Sequence, residues 1–289
     1  MKTLLIGNTS CHAAKRLHEE FRKKRLVFDV LQPKDCVFSV VNEKVFFTSK
    51  KGKNLLEYDV YIFRGIGKRV KELSVIASYL HDHKKLVLEE VLATHTGYID
   101  KFSPAMVDHG APVVDYKLFF SKNEEETVEY PIIAKSLDGS MGTKVRLLCN
   151  EKEYDTFISD FGFPLLLQKY LPVAFDFRVI IVDGKILGGM KRYNDGNDFL
   201  TIRAGGEREE VTLPKEALDV ALNATKASGL SVAGVDLLEY GGIFYRLEVN
   251  MSPQFRVFEK TTGVNVALAI CEMVERKYTK NLLEAKISK

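Results

Sequence analysis

Asp236, Glu248 and Asn250 fall within AGVDLLEYGGIFYRLEVNMSP, residues 233–253, where two strand-like runs, VDLLEY and FYRLEVN, flank Gly241-Gly242. The pattern reads as a β-hairpin, and its register decides the chemistry. A loop of Gly241-Gly242 alone sets Val235 against Glu248 and puts Asp236 on one face with Leu247 and Val249, so both faces mix charge with core. A loop of Gly241-Gly242-Ile243 instead sets Asp236 directly opposite Glu248, because side chains alternate with period two. One face is then Val235, Leu237, Tyr245, Leu247 and Val249, and the other carries Asp236, Arg246, Glu248 and Asn250. The second register is expected, since it alone gives an apolar face. Two carboxylates facing each other across a ribbon repel unless a positive charge lies between them. An all-oxygen set of Asp, Glu and Asn suits Mg²⁺ completing its shell with water and phosphate. A solvated strand face with two acids is the plainer reading. The apolar context, and the Asn250-Met251-Ser252-Pro253 run that stops the strand, favour the cation.

Three further stretches carry groups suited to a phosphorylated ligand. IIAKS leads into Asp138-Gly139-Ser140-Met141-Gly142-Thr143 before KVRLLC returns. Small residues there let backbone N–H groups approach phosphate oxygens, and Lys135 adds a point charge from the strand. The loop is not GxxxxGK[ST], and glycines serve many hairpins equally well. LLLQKYL, residues 165–171, is an apolar strand stopped by Pro172, and its backbone could meet an adenine ring wedged between two lobes. FDFRVIIV and KILGGMKRY flank Asp183-Gly184, a pair typical of a type I′ turn. A two-residue loop sets Asp176 opposite Lys191, with Arg178 on the same face. Arg192 then points the other way, and both arginines reach one site only if the ladder slips or bulges. That alternative stays open.

The elements that must hold these groups are read from periodicity. TLLIG, VFDVLQP, YDVYIFRG and KLVLE alternate with helical stretches at 12–24 and 69–81, which predicts a small α/β layer with parallel strands. It lacks GxGxxG. Arg64 ends one of those strands, where open α/β sheets bind ligands; a surface ion pair explains it equally well. A polar connection near residue 97 marks a first boundary, and a helix beginning around Lys101 ends at Gly110. Further helices are expected near 151–161, 215–230 and 265–278. The resulting division is 1–97, 98–171 and 172–289, an α/β (α+β) chain whose 289 residues exceed one ordinary core.

Composition narrows the function. Hydrophobic content of 46% with 28% charge describes a folded protein, and 42 basic against 39 acidic residues leave +3, too little to imply nucleic acid. Runs such as Arg22-Lys23-Lys24-Arg25 read as solvated surface, as do the histidines of His81-Asp82-His83. Cys11, Cys36, Cys149 and Cys271 form no CxxC and suggest neither zinc nor disulfides. The first ten residues are too short for a signal peptide and no run approaches a membrane span, so a cytoplasmic protein without a membrane partner is expected.

In order, the motifs are DK at 100–101, IIAKSLDGSMGTKV, QKYL, FDFRVIIVDGKILGGMKR, DFLTIRAGG, AGVDLL, LEVNMSP and EKTTGVNVA. Together, over residues 97–275, they resemble the ATP-grasp superfamily, and most closely its RimK-like amino-acid ligases of the glutamate-adding type. The resemblance implies a Rossmann-like amino-terminal pre-ATP-grasp domain and two lobes that sandwich ATP. It implies that Lys101 and Lys135 contact the phosphates beneath the loop with Gly139, Ser140, Met141 and Gly142. Gln168, Lys169, Tyr170 and Leu171 would line the adenine slot, Asp176 would be the nucleotide-side acid beside Arg178, and Arg192 would meet the transferred phosphoryl group. Asp236, Glu248 and Asn250 match the metal ligands, for Mg²⁺ with Mn²⁺ as the alternative ion. Two departures stand out: Thr201 and Ile202 replace a usual asparagine, with Arg203 a possible substitute, and Gln254 replaces a glycine where the acceptor binds.

The implied reaction is carboxylate activation: an acylphosphate forms from ATP, and an amine displaces phosphate to give an amide. Such phosphoryl transfer needs positioning and charge neutralisation more than a nucleophilic side chain. The partners implied are ATP, an amino acid and a carboxylate-bearing acceptor on a peptide, protein tail or cofactor; relatives of this type often assemble into homo-oligomers. A ligase making a dipeptide or other small amide, and a nucleotide-binding protein without catalysis, are the competing readings.

Overall fold

TLLIG becomes β1 (Lys2–Gly7), and Cys11 then caps α1 (His12–Lys23) by accepting the Ala14 N–H at its sulfur, 3.4 Å away. Ala13, Ala14, Leu17 and Phe21 form the buried stripe of that helix, at the spacing of one helical face. The computed structural model describes residues 1–66, 69–94, 109–122, 127–137, 144–193 and 206–287. After α1 come β2 (Val27–Leu31), β3 (Cys36–Val41), β4 (Lys44–Ser49), β5 (Val60–Arg64), α2 (Val70–Asp82), β6 (Leu86–Val87) and a short α3 (Val91–Thr94). Strands β2-β1-β5-β6 make the expected parallel layer. The hairpin β3–β4 is an addition to the sequence reading. It turns at Asn42-Glu43, both at positive φ, and its Phe38 and Phe47 pack against Tyr79 of α2.

The second sheet is antiparallel, in order β7-β10-β8-β9, from β7 (Tyr116–Phe119), β8 (Ile132–Ser136), β9 (Val145–Leu148) and β10 (Leu165–Lys169). α4 (Glu151–Phe161) covers it. Asn150 starts this helix by accepting the Glu153 N–H at 3.0 Å, and the Glu153 carboxylate returns to the Cys149 N–H at 2.7 Å, so donors at the helix start are satisfied from both directions. The third sheet, order β13-β12-β11-β14-β15, is also antiparallel. It comprises β11 (Phe175–Val182), β12 (Lys185–Tyr193), β13 (Arg208–Val211), β14 (Val232–Tyr240) and β15 (Ile243–Asn250). α5 (Lys215–Ala227) packs Ala217, Val220, Ala221 and Ala224 against Val179, Ile181, Val235 and Leu237 on one face. A short α6 (Arg256–Thr262) precedes the expected last helix, α7 (Val266–Ile287), parted from it at Gly263 with φ +69°. Among the described residues no helix is long and apolar enough to cross a membrane, and all four cysteines are free.

Three apolar clusters explain how the layers join. One contains Leu5, Leu17 and Phe21 of the amino-terminal layer together with Ile180, Met190, Phe258 and Ile270, so that layer and the third sheet share a core through α6 and α7. The cluster under α5 is a second. The second sheet has its own, made of Ala134, Leu148, Tyr154, Phe157, Leu165 and Leu167, with no buried member in common with the others. One segment bridges that sheet to the third. Pro112 C=O accepts the Arg246 N–H at 2.7 Å and Val113 pairs with Arg246, while Asp115 C=O accepts the Lys169 N–H at 2.9 Å. The division near 171 lies between β10 and β11, which belong to different sheets; the one near 97 and the helix from Lys101 lie outside the described residues.

Ile270 is fully buried in the shared core, and truncations of this kind cost about 2–5 kcal/mol. Ile270→Ala is expected to lower urea stability by that amount, with probes in the amino-terminal layer and the third sheet losing structure in one transition.

Candidate functional site

One face of the third sheet changes character along its length. On β11 the even-numbered side chains run from Val182 and Ile180, buried in the shared core, to Arg178 and Asp176. On the adjoining β14, Val232 is core and Asp236 lies beyond it, directly opposite Arg178. The same strands therefore anchor at one end and present charge at the other, which is what alternation requires when an apolar row gives way to a polar one.

Two bulges complete that face. In the first hairpin the loop is the expected Asp183-Gly184, both at positive φ, and Val182 pairs with Lys185. Between Ile180 and Ile181 the register shifts: Ile181 pairs with Ile186 but Ile180 with Gly188, so Leu187 is the extra residue. A bulge moves every later side chain of its strand to the opposite face. Asp176 consequently faces Arg192 and not Lys191, which settles the open alternative in favour of both arginines serving one face. In the second hairpin the three-residue loop expected from the pattern is replaced by a two-residue one, Gly241-Gly242, with φ +61° and +78° and Tyr240 paired with Ile243. Asp236 nevertheless faces Glu248, because the register shifts at Leu247. The correction has a second part. Arg246 pairs with Leu237, away from the acidic face, where its backbone holds Pro112 and its side chain is buried. Tyr245 and Leu247 are only half-buried, while Val235, Leu237 and Val249 are core.

The result is a buried row of alternating charge. Arg178 grips Asp236 side-on, Nε donating to Oδ1 and Nη2 to Oδ2, the latter at 2.7 Å. Arg192 grips Asp176 in the same way, at 2.5 Å for each of the two bonds, and its Nη2 also lies 3.2 Å from Asp236 Oδ2. Asp176 and Asp236 are 8% and 6% exposed. Burial pushes the Asp176 carboxyl up to about 6 against the pull of Arg192, with the Asp236 charge adding to the rise. Burial acts on Asp236 too, but the charges of Arg178 and Arg192 outweigh it and hold that carboxyl below its ordinary value. Arg192, flanked by both acids, keeps its proton more tightly than a free guanidinium.

Asn250 shares the face of Glu248 two residues on, opposite Gly234, and donates from Nδ2 to Gly234 C=O at 3.4 Å, which leaves its Oδ1 as an acceptor. Gly234 is required there: a Cβ would come within 2.7 Å of Pro253, whose ring folds back over the strand end. Among the described residues no three His, Cys, Asp or Glu side chains form a closed metal cage. Asp236, Glu248 and the Asn250 amide fit an ion of the Mg²⁺ kind, which takes one or two carboxylates and completes its shell from water and phosphate. Both Asp236 oxygens are engaged by guanidinium groups, so a metal must compete with Arg178 for them.

The second sheet supplies a lysine. Lys135 Nζ donates to Gln168 Oε1 at 2.6 Å, and the buried Gln168 amide lies 3.5 Å from Val114 C=O. Gln168 thus orients a cation in addition to any part it plays toward a base. Lys169 is exposed; Tyr170 and Leu171 come after the strand and are half-buried. Lys101, Gly139, Ser140, Met141 and Gly142, and the departures at Thr201, Ile202 and Arg203, lie outside the described residues. Gln254 is exposed. Of the two alternatives for Arg64 the structure shows an ion pair, but one fully buried against Glu89 and not on the surface.

Residues 113–274 match the RimK-like ATP-grasp domain. Over 157 residues the chain is 33% identical to the probable alpha-L-glutamate ligase of Histophilus somni, a match covering 52% of each, so it spans about half the length of that relative. Over 297 residues it is 25% identical to the probable alpha-L-glutamate ligase of Haemophilus influenzae, covering 95% of this chain and 97% of that one. The ATP-grasp ligase PsnB, solved with a phosphomimetic minimal precursor, Mg and ADP, superposes with a TM-score of 0.73 at 18% identity over 96% of this chain and 98% of that one.

Because Arg178 competes for Asp236, nucleotide-free protein is expected to bind Mn²⁺ weakly. Removing that competing charge in Arg178→Gln should tighten binding roughly tenfold, as read by the electron paramagnetic resonance of free Mn²⁺; equal affinity for both proteins would show that the arginine does not guard the carboxylate.

Proposed function

Since the chain belongs to the RimK-like ATP-grasp family, we propose that it is an ATP-dependent carboxylate–amine ligase that adds an amino acid, glutamate foremost, to a carboxylate-bearing peptide, protein tail or cofactor. The observation that carries this reading is the convergence of Asp176, Arg178, Arg192, Asp236 and Glu248 on one face of one sheet. The probable alpha-L-glutamate ligases among its relatives support the choice of glutamate, and PsnB, solved with ADP, Mg and a precursor, supports an acceptor of peptide kind.

In this reading an oxygen of the acceptor carboxylate attacks the γ-phosphorus of ATP. The bond to the β-phosphate oxygen breaks, and ADP leaves with the electron pair. The amine of the incoming amino acid then attacks the acyl carbon, the phosphate departs, and the nitrogen loses a proton to give the amide. Lys135, held by Gln168, and Lys101 neutralise the phosphates, beneath the loop of Gly139, Ser140, Met141 and Gly142. The strand with Gln168, Lys169, Tyr170 and Leu171 receives the base. Arg192 meets the phosphoryl group in flight, with Asp176 fixing its guanidinium plane, and Arg178 turns from Asp236 toward the same charge. Such fixed charges act where negative charge develops and do not need to reorganise during reaction. Asp236, Glu248 and Asn250 would hold Mg²⁺, which supplies further neutralisation of the phosphates.

Stoichiometric ADP release in the presence of single amino acids tests the activity, and supplying a peptide acid against a free small acid tests the acceptor. Glu248→Ala should abolish ADP formation, while its circular dichroism and melting temperature stay close to wild type because Glu248 is only half-buried. Full turnover in this variant would remove the metal role assigned to the ribbon.

A further inference from the structure

The amino-terminal layer grips the metal ribbon through the end of one strand. β5 ends in Phe63-Arg64, with Gly65 next in the chain, and Arg64 has no exposed surface. Its Nη1 lies 2.7 Å from Glu89 Oε1, and also donates to Phe63 C=O at 3.2 Å and to Met251 C=O at 3.3 Å. Glu89 in turn accepts the Phe63 N–H at 2.7 Å. One residue on, the Gly65 N–H donates to Ser252 Oγ at 3.1 Å. Gly65 sits at φ +63°, where a Cβ would come within 2.7 Å of Asn8 Cβ, so only glycine lets β5 turn there under the loop that leads into α1. Met251 and Ser252 are the two residues directly after Asn250.

We propose that the Arg64–Gly65 end of β5 positions Asn250 for the divalent cation, by holding the main chain immediately beyond it. This rests on the ligase reading above. A strand's last residue is free to fray unless the chain beyond it is tied down, and Asn250 ends β15. The Met251 carbonyl is fixed by Arg64, the Ser252 hydroxyl by Gly65, and the Pro253 ring lies against Gly234. These three contacts fix the main chain leaving Asn250, whose own Nδ2 is bonded to Gly234 C=O. Arg64 is more than a filler of the interface. A buried ion pair is replaceable by apolar side chains of similar volume without loss of stability, and its Nε and Nη2 have no hydrogen-bond partner among the described residues. Of the bonds Arg64 makes, the one to Met251 crosses between layers. Arg64 touches no reacting atom in this scheme and acts only through the strand end.

The experiment separates positioning from stability. Arg64→Met/Glu89→Gln removes both charges together, retains the volume and keeps an acceptor for the Phe63 N–H, so its melting temperature should stay near that of wild type. Mn²⁺ binding is measured with a non-hydrolysable ATP analogue present, and analogue binding is measured without metal. Outer contacts to metal ligands typically account for 10- to 100-fold in metal affinity. The double variant is expected to bind Mn²⁺ at least about tenfold more weakly, with metal-free analogue affinity unchanged. Wild-type Mn²⁺ affinity, or an equal loss of both affinities, overturns the proposal. Should the double variant not fold, Ser252→Ala, which leaves the core intact, decides the matter by the same two measurements, and unchanged Mn²⁺ affinity again overturns it. If the wild-type protein itself gains no Mn²⁺ affinity with the analogue, the ligase reading falls first, and this inference with it.

Discussion

Two carboxylates and two guanidinium groups, Asp176, Arg192, Asp236 and Arg178, are joined in a single row in which both carboxylates are buried. An unpaired charge at any of those positions would be prohibitively costly to bury, and removal of a partner leaves such a charge behind. The row therefore obliges three strands to keep their relative register: Asp176 against Arg192 across β11 and β12, Arg178 against Asp236 across β11 and β14. Further constraints come with it. The face that carries the row must be apolar where it runs into the shared core and polar where it does not, and the strands that carry it must be central ones, with β13 and β15 outside them.

The two bulges are how an ordinary pair of tight hairpins meets that obligation. Both hairpins have two-residue turns at positive φ, and uninterrupted ladders from those turns would set Asp176 against Lys191 and Glu248 against Val235. One extra residue in each returning strand, Leu187 and Leu247, rotates the remainder by one position and brings Arg192 and Glu248 to the same side. In each case the extra residue is a leucine flanked by residues that pair normally. Bulges also increase local twist; the first lies within the core, opposite Ile180 and Ile181, and the second on the turn side of Asp236.

This accounts for what the amino-acid sequence disclosed and what it withheld. Asp183-Gly184 announced its turn because only certain residues tolerate positive φ in succession. The pairing of Asp236 with Glu248 was legible from the need for an apolar face, although the loop length inferred with it was wrong. A bulge at Leu247 satisfies the same pattern as a longer turn does, and side-chain alternation cannot tell the two apart. Arg246 was misplaced for the same reason, since it lies on the turn side of the bulge. The hairpin of Cys36–Val41 and Lys44–Ser49 carries no such signature, because Asn42-Glu43 is a less distinctive turn pair than Asn-Gly or Asp-Gly. Arg64 illustrates another limit: its position at a strand end was readable, but its partners Glu89 and Met251 are far along the chain and no local pattern joins them.

The separate core of the second sheet has a mechanical consequence. The amino-terminal layer and the third sheet own common buried side chains, and thus behave as one rigid base. The four-stranded sheet of Lys135 and Gln168 shares none of its buried members with that base among the described residues. Two chain segments join this sheet to that base, one at residues 112–115 and one at 170–174, between β10 and β11. In the first, Pro112 and Val113 are fastened to the base and Asp115 to the four-stranded sheet, where the Gln168 amide also reaches the Val114 C=O. Two tethers define an axis and resist sliding, so any turn of the sheet would carry Lys135 along an arc.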